Sequence, residues 1–74
     1  MADEDTRQRR IGARLATVRA GRQLTQQQVA DLLGTTVVTI ARWERGRRTP
    51  SVADVQRYLD AVGADAAERG AVLS

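Results

Sequence analysis

The 74-residue sequence contains no cysteine, no histidine and no phenylalanine, and it has a single proline. The absence of cysteine and histidine excludes disulfides, the usual zinc sites, thiol nucleophiles and the Ser-His-Asp triad. No apolar run approaches the roughly 20 residues that span a bilayer, and the polar N-terminus is unlike a signal peptide. We therefore expect a cytoplasmic protein that has no membrane contact, no catalytic residue, and no metal or other cofactor.

Hydrophobic residues make up 42% of the sequence and charged residues 28%, which is typical of a globular domain rather than of a disordered chain. A chain this short supports one small domain. Its only aromatic residues are Trp43 and Tyr58, and Val, Ile and Thr never alternate with polar residues as they do in strands. The composition therefore predicts an all-α domain that is held together by aliphatic side chains.

The basic residues are all arginine, and they cluster in two blocks. Residues 7–22 contain six arginines and no acid, and residues 42–48 contain four arginines and one glutamate. We expect residues 1–6 to be a disordered acidic tail before a domain over residues 7–74. Clustered arginine is typical of a phosphate-binding surface, although a solvated helix face fits the charge pattern equally well.

Apolar spacing and capping residues predict five helices. The first begins at Thr6 or Arg7 and ends at Ala20. The others run over about residues 26–33, 36–45, 52–62 and 66–73, and their N-caps are Thr25, Thr36, Ser51 and Asp65. The predicted apolar stripe of the fourth helix consists of Val52, Val55, Leu59 and Val62.

A tight turn at Gly34 joins the second and third predicted helices, which suggests a helix-turn-helix. Residues 24–34, LTQQQVADLLG, resemble the second helix and the turn of the Cro/phage-repressor (XRE) family of DNA-binding domains. Residues 36–46, TVVTIARWERG, resemble the recognition helix of that family, and Pro50 falls where its fourth helix begins. The resemblance covers about residues 10–73 and implies a compact, five-helix, lambda-repressor-like bundle with a central helix-turn-helix.

Gln23 departs from the family pattern, because many members have glycine in the turn before the second helix. Two backbone conformations would accommodate the departure. Either Gln23 itself adopts positive φ, or Gly21 bends the chain earlier.

Helical geometry selects the outward residues of the third helix. If Ile40 points into the core, an advance of about 100° per residue turns Val38 and Arg42 outwards and places Val37 and Ala41 on the flank. Recognition helices contact bases through their N-terminal part, where arginine binds guanine and apolar groups contact the thymine methyl. The predicted base-reading residues are therefore Val37, Val38, Ala41 and Arg42, although Val37 fits the rim of the core equally well.

Two other segments are predicted to bind phosphates, which position a protein on DNA without reading its sequence. The N-terminus of the second helix offers free N–H groups and a partial positive charge. The resemblance implies that Gln26 there spans a phosphate and the recognition helix, although it is also an ordinary first-turn residue. The predicted phosphate-binding residues are Thr25, Gln26, Arg45, Arg47, Arg48 and Thr49. Arg14 and Arg22 either add weaker contacts or are solvated.

The resemblance also implies an ion pair beneath the motif, between Arg19 in the first helix and Glu44 in the third. It implies a function as well, which is sequence-specific binding of double-stranded DNA by a transcriptional regulator, such as a repressor. The recognition helix, about residues 36–45, would lie in the major groove. Because operators of this family are commonly two-fold symmetric, we expect a weak homodimer that is strengthened on DNA.

The competing interpretation is a protein-interaction module of the antitoxin or adaptor type. Two adjacent valines, Val37 and Val38, would suit a contact with a partner protein. The two arginine blocks favour DNA, because protein interfaces more often carry aromatic residues and less uniform charge.

Overall fold

The computed structural model describes the backbone of residues 2–73 and the side chains of residues 6–73. Within this part the chain forms five helices and no strand, which confirms the all-α prediction: α1 (Ala2–Gly21), α2 (Gln26–Leu33), α3 (Val37–Glu44), α4 (Val52–Ala61) and α5 (Ala66–Leu73). The radius of gyration is 11.2 Å, close to the value of about 11 Å expected for a compact chain of this length. None of these five helices is long and apolar enough to cross a membrane.

Side-chain caps begin the last four helices at the predicted positions. In α2, Thr25 Oγ1 accepts a hydrogen bond from the N–H of Gln28 at 3.0 Å, and the Gln28 side chain accepts one from the N–H of Thr25 at 2.7 Å. Thr36, Ser51 and Asp65 likewise accept from the N–H three residues further on. Each such cap contributes about 1 kcal/mol, so these starts are fixed locally.

The turns on either side of α2 depend on residues with positive φ. Gln23 has a φ of 58° and is the one non-glycine residue with positive φ in the described chain. Of the two alternatives above, Gln23 itself therefore takes the left-handed conformation, and α1 continues through Gly21. Gly34, with a φ of 67°, ends α2 and permits the tight turn into α3.

The first helix is longer than predicted. It begins at Ala2 rather than at Thr6 or Arg7, so the backbone of residues 2–6 is helical where a disordered acidic tail was expected. Met1 lies outside the described residues. Three acidic residues at the start of a helix are favoured by the helix macrodipole, which gives a physical reason for the extension.

The helices pack around one core. Both α1 and α2 pack on α3, while α5 packs on α1 and α4 packs on α2. The largest fully buried side chains among the described residues are Leu15, Val29, Ile40, Tyr58, Leu59 and Val72. The predicted stripe of α4 is wrong at Val52, which is 69% exposed. Val52 is the first residue of α4 and lies beyond the edge of the core, whereas Tyr58 supplies the buried position that the stripe omitted.

Candidate nucleic-acid interface

The buried face of α3 fixes which of its residues meet solvent. Ile40 is fully buried and Trp43 is 6% exposed. At the N-terminus, Thr36 Oγ1 accepts a hydrogen bond from the N–H of Thr39 at 3.2 Å. Because each residue advances the helix by about 100°, this anchored face turns the opposite face towards solvent. That opposite face is available to a ligand.

The four residues predicted to read bases lie on or beside this outer face. Val38 is 52% exposed. Arg42 is also exposed, while Val37 and Ala41 are half-buried, as the helical projection predicts for residues on the flank. An exposed isopropyl group can contact a thymine methyl, and a guanidinium group beside it can bind the edge of a guanine. Contact with bases stays a prediction for all four residues.

Four helices meet at the carboxylate of Glu44, at the buried end of α3. Arg19 of α1 donates from Nε to Oε2 at 2.8 Å and from Nη2 to Oε1 at 3.0 Å, so the implied ion pair is formed. Gln26 of α2 donates from Nε2 to Oε1 at 3.0 Å. Tyr58 of α4 donates its hydroxyl to Oε2 at 2.5 Å. One side chain thereby ties the recognition helix to three others.

The hydrogen bonds of this network outweigh the cost of burying its charges. Burial disfavours the carboxylate, but the donors Arg19, Gln26 and Tyr58 lower the pKa of Glu44 below its ordinary value. The hydrogen bond to Glu44 raises the pKa of Arg19. Burial, together with the hydrogen bond to Glu44, raises the pKa of Tyr58. At neutral pH the network therefore holds a carboxylate, a guanidinium ion and a neutral phenol.

The N-terminus of α2 holds two of the predicted phosphate-binding residues, Thr25 and Gln26. The Thr25 hydroxyl accepts the capping hydrogen bond and keeps its own hydrogen for another acceptor. The Gln26 amide donates one N–H to Glu44, so it links α2 to α3 and is more than a first-turn residue. The same amide carries a second N–H that can donate to another acceptor. Phosphate binding by this pair stays a prediction.

The loop between α3 and α4 carries the other predicted phosphate-binding residues. Arg45, Arg47, Arg48 and Thr49 are all exposed. Within the described part of the chain, the three guanidinium groups form no hydrogen bond or ion pair. The backbone N–H groups of Arg47 and Arg48 bind the carbonyl oxygen of Arg42 at 2.9 and 3.4 Å, so the loop folds back on the end of α3. The backbone shapes this loop and leaves its cationic side chains in solvent.

Arg14 and Arg22 have a structural role that neither of the sequence alternatives anticipated. Arg14 Nη1 donates to the carbonyl oxygen of Ala71 at 2.7 Å. Arg22 forms an ion pair with Glu68 and donates to the carbonyl oxygen of Gly63 at 3.2 Å. Both side chains hold the C-terminal part of the chain against α1, so both are removed from the candidate interface.

Two residues outside the predicted set support the interface. A Cβ atom at Gly12 would lie 2.2 Å from the carbonyl oxygen of Trp43 and 2.7 Å from that of Glu44, so glycine lets α1 approach the end of α3. A glycine inside a helix lowers its stability by about 1 kcal/mol relative to alanine. A glycine at position 12 of a predicted helix therefore indicates a packing role. For Tyr58 the signal is a lone phenol on the buried face of an amphipathic helix, because a buried hydroxyl needs a partner.

Comparison with known families identifies this arrangement. The family model described as a helix-turn-helix domain matches residues 10–72, which include α2, α3, the turn at Gly34 and both members of the Arg19–Glu44 pair. No curated protein matches the chain. The chain therefore belongs to this family of helix-turn-helix domains, which are DNA-binding domains of the XRE type.

Proposed function

We propose that the chain is a sequence-specific regulator of transcription that binds double-stranded DNA with α3 in the major groove. One observation carries this proposal. The outer face of α3 and the loop after it combine the exposed Val38 with four arginines whose guanidinium groups have no partner within the described residues, namely Arg42, Arg45, Arg47 and Arg48. Apolar and guanidinium groups together suit base edges, and the remaining cations suit phosphates.

The proposed contacts divide into two sets. Bases are read by Val37, Val38, Ala41 and Arg42, and phosphates are bound by Thr25, Gln26, Arg45, Arg47, Arg48 and Thr49. The Glu44 network supports this division mechanically, because it sets the angle between α2 and α3 from the buried side. A fixed angle lets the N-terminus of α2 meet the backbone while α3 lies in the groove.

The small size of the proposed interface bears on the oligomeric state of the protein. One helix of this length spans few base pairs, so two copies on a two-fold symmetric operator would supply the specificity that one copy lacks. We therefore propose a weak homodimer that is strengthened on DNA and that acts as a cytoplasmic repressor. We propose no enzymatic activity, because a sequence without histidine and cysteine lacks the commonest general base and the thiol nucleophile.

A second candidate function is a protein-interaction module. The observation that favours it is Val38, because a half-exposed apolar side chain on a helix also suits a protein partner. The arginines favour DNA, since four cations in one short segment would disfavour burial in a protein interface.

The test begins with a selection of random DNA duplexes for binders, followed by affinity measurements on the selected duplex. Replacing Val38 by alanine should weaken binding about fivefold, with little change in stability, because the valine methyls would lose a thymine methyl. The loss should shrink on a duplex in which uracil replaces that thymine. Val52→Ala is the matched control, because Val52 is an exposed valine on α4, outside the base-reading set.

Three outcomes contradict the proposal in different ways. A failure to select any duplex would reject DNA binding and favour the protein-interaction module. An unchanged affinity of Val38→Ala would remove Val38 from the base-reading set. A large loss of stability would mean that Val38 is buried and that the outer face of α3 lies elsewhere.

A further inference from the structure

Arginines line a cleft between α1 and the loop that follows α3. Its lining among the described residues is Arg9, Arg45, Gly46 and Arg47, and its volume is about 720 Å³. Arg9 belongs to α1, whereas the other two arginines follow α3 in the chain. Two segments that are distant in sequence therefore place three arginines around one opening. Arg9 is absent from the predicted interface, because its spacing in the sequence gives no sign of this convergence.

Gly46 holds the two sides of this arginine cleft together. A Cβ atom at Gly46 would lie 2.8 Å from both Cα and Cγ of Arg9, so the loop runs directly against the backbone of α1. Its φ of 71° also favours glycine. One turn further along α1, Gly12 touches the carbonyl groups at the end of α3. These two contacts fix Arg9 beside the C-terminal end of the recognition helix.

The charges of the arginine cleft are uncompensated within the described part of the chain. The side chains of Arg9, Arg45 and Arg47 form no hydrogen bond or ion pair there. Guanidinium groups that converge repel one another unless an anion lies between them. Because each guanidinium can donate two parallel hydrogen bonds to phosphate oxygens, a phosphate is the anion that this geometry suits.

We propose that the arginine cleft binds one phosphate of the DNA backbone and that Arg9 is a contact residue. Helix α1 then joins α2 and the loop as a third segment that positions the recognition helix. This inference rests on the proposed function, since the phosphodiester belongs to the duplex that α3 reads. It adds a contact from α1 at the C-terminal end of α3, the end that Gln26 at the N-terminus of α2 also reaches.

The first test measures the dependence of affinity on salt with the selected duplex. Arg9→Ala should weaken binding several-fold and lower the slope of log affinity against log salt by up to about 0.9, which is the full share of the one phosphate that Arg9 holds together with Arg45 and Arg47. The control is Arg10→Ala, which makes the same change in charge at the next residue. Arg10 lines a different cleft with Ile11 and Leu73. Arg9→Lys should keep the slope, because the positive charge remains.

The second test locates the phosphate. Each backbone phosphate of the duplex is replaced in turn by a neutral methylphosphonate, and the affinities of the wild type, Arg9→Ala and Arg45→Ala are compared. We expect one position at which neutralisation weakens the wild type but has little further effect on either variant.

The outcomes separate this inference from the proposed function. Equal effects of Arg9→Ala and Arg10→Ala, or coupling of Arg9 to no phosphate, would overturn the contact while DNA binding stands. A wild-type protein that selects no duplex would overturn the proposed function, and the inference with it.

Discussion

Glu44 accepts four hydrogen bonds from three other helices, so its carboxylate cannot be removed without leaving buried donors unpaired. The loss would affect Arg19 most. Its side chain is only 17% exposed, and it would keep its charge without a counterion. Breaking a buried ion pair on one side costs more than the pair itself contributes, because the remaining charge is poorly solvated.

We predict that Glu44→Ala lowers the free energy of unfolding by about 3 kcal/mol or more at neutral pH. The control is Asp60→Ala. Asp60 pairs with Arg69 at 2.8 Å, but its side chain is 69% exposed, and pairs of this kind contribute less than about 1 kcal/mol. Urea unfolding of both variants measures the difference. Equal midpoints would contradict the structural role of the network.

The stability difference between the wild type and Glu44→Ala should depend on pH. The pKa of Glu44 is lower in the folded state than its ordinary value of 4.5, so the unfolded state binds the proton more readily. The stability that Glu44 contributes is therefore complete above about pH 4.5 and is lost as the pH falls through the lower folded pKa. The gap between the wild type and Glu44→Ala should narrow on acidification. A gap that stays constant down to about pH 2 would contradict the lowered pKa.

At the scale of elements, the contact between α1 and α3 depends on a missing side chain. We predict that Gly12→Ala destabilises the fold by about 2 kcal/mol, because its Cβ would overlap backbone oxygens and force the helices apart. Gly70→Ala is the matched control. Gly70 is also helical and a Cβ there would meet nothing within 4 Å, so alanine should stabilise the fold by about 1 kcal/mol. Thermal unfolding should show shifts of opposite sign, and a stabilising Gly12→Ala would reject the close approach.

The helix starts could be predicted because capping is a local interaction. Thr25, Thr36, Ser51 and Asp65 each bind a backbone group three residues away, so a short stretch of sequence determines the outcome. The outer face of α3 could be predicted for a related reason. Once Ile40 is placed in the core, helical periodicity determines the exposure of Val38 and Arg42.

The features that could not be predicted depend on contacts between elements. Arg9 and Arg14 lie five residues apart on α1, yet Arg14 binds α5 whereas Arg9 lines the arginine cleft. Only the packing of segments that are distant in sequence gives the two residues different roles. Val52 fits the apolar period of α4 but falls outside the core, because the helix begins there. Acidic residues are favoured at the start of a helix by the macrodipole, so the acidic composition of residues 3–5 fits the early start of α1 as well as it fits disorder.

At the scale of the whole molecule, the proposed interface should make binding strongly dependent on salt. We predict that replacing both Arg47 and Arg48 by alanine lowers the slope of log affinity against log salt by about 0.9 or more, since Arg48 accounts for one phosphate while Arg47 shares another with Arg9 and Arg45. The preferred sequence should not change, because phosphate contacts carry no base information. The double variant Arg7→Ala and Arg10→Ala, which removes the same charge from the other cleft of α1, is the control. Equal slopes for the wild type and the Arg47–Arg48 variant would remove these residues from the interface.

The division of the arginines into partnered and unpartnered groups also bears on how quickly the molecule finds DNA. Arg19, Arg22, Arg57 and Arg69 each lie beside a carboxylate, so their fields largely cancel at a distance. The uncancelled charge of residues 42–48 lies around the end of α3, and it would draw that side towards a polyanion before any contact forms. Collisions would then be biased towards the orientation that binds, and the association rate would exceed that of an evenly charged molecule of the same size.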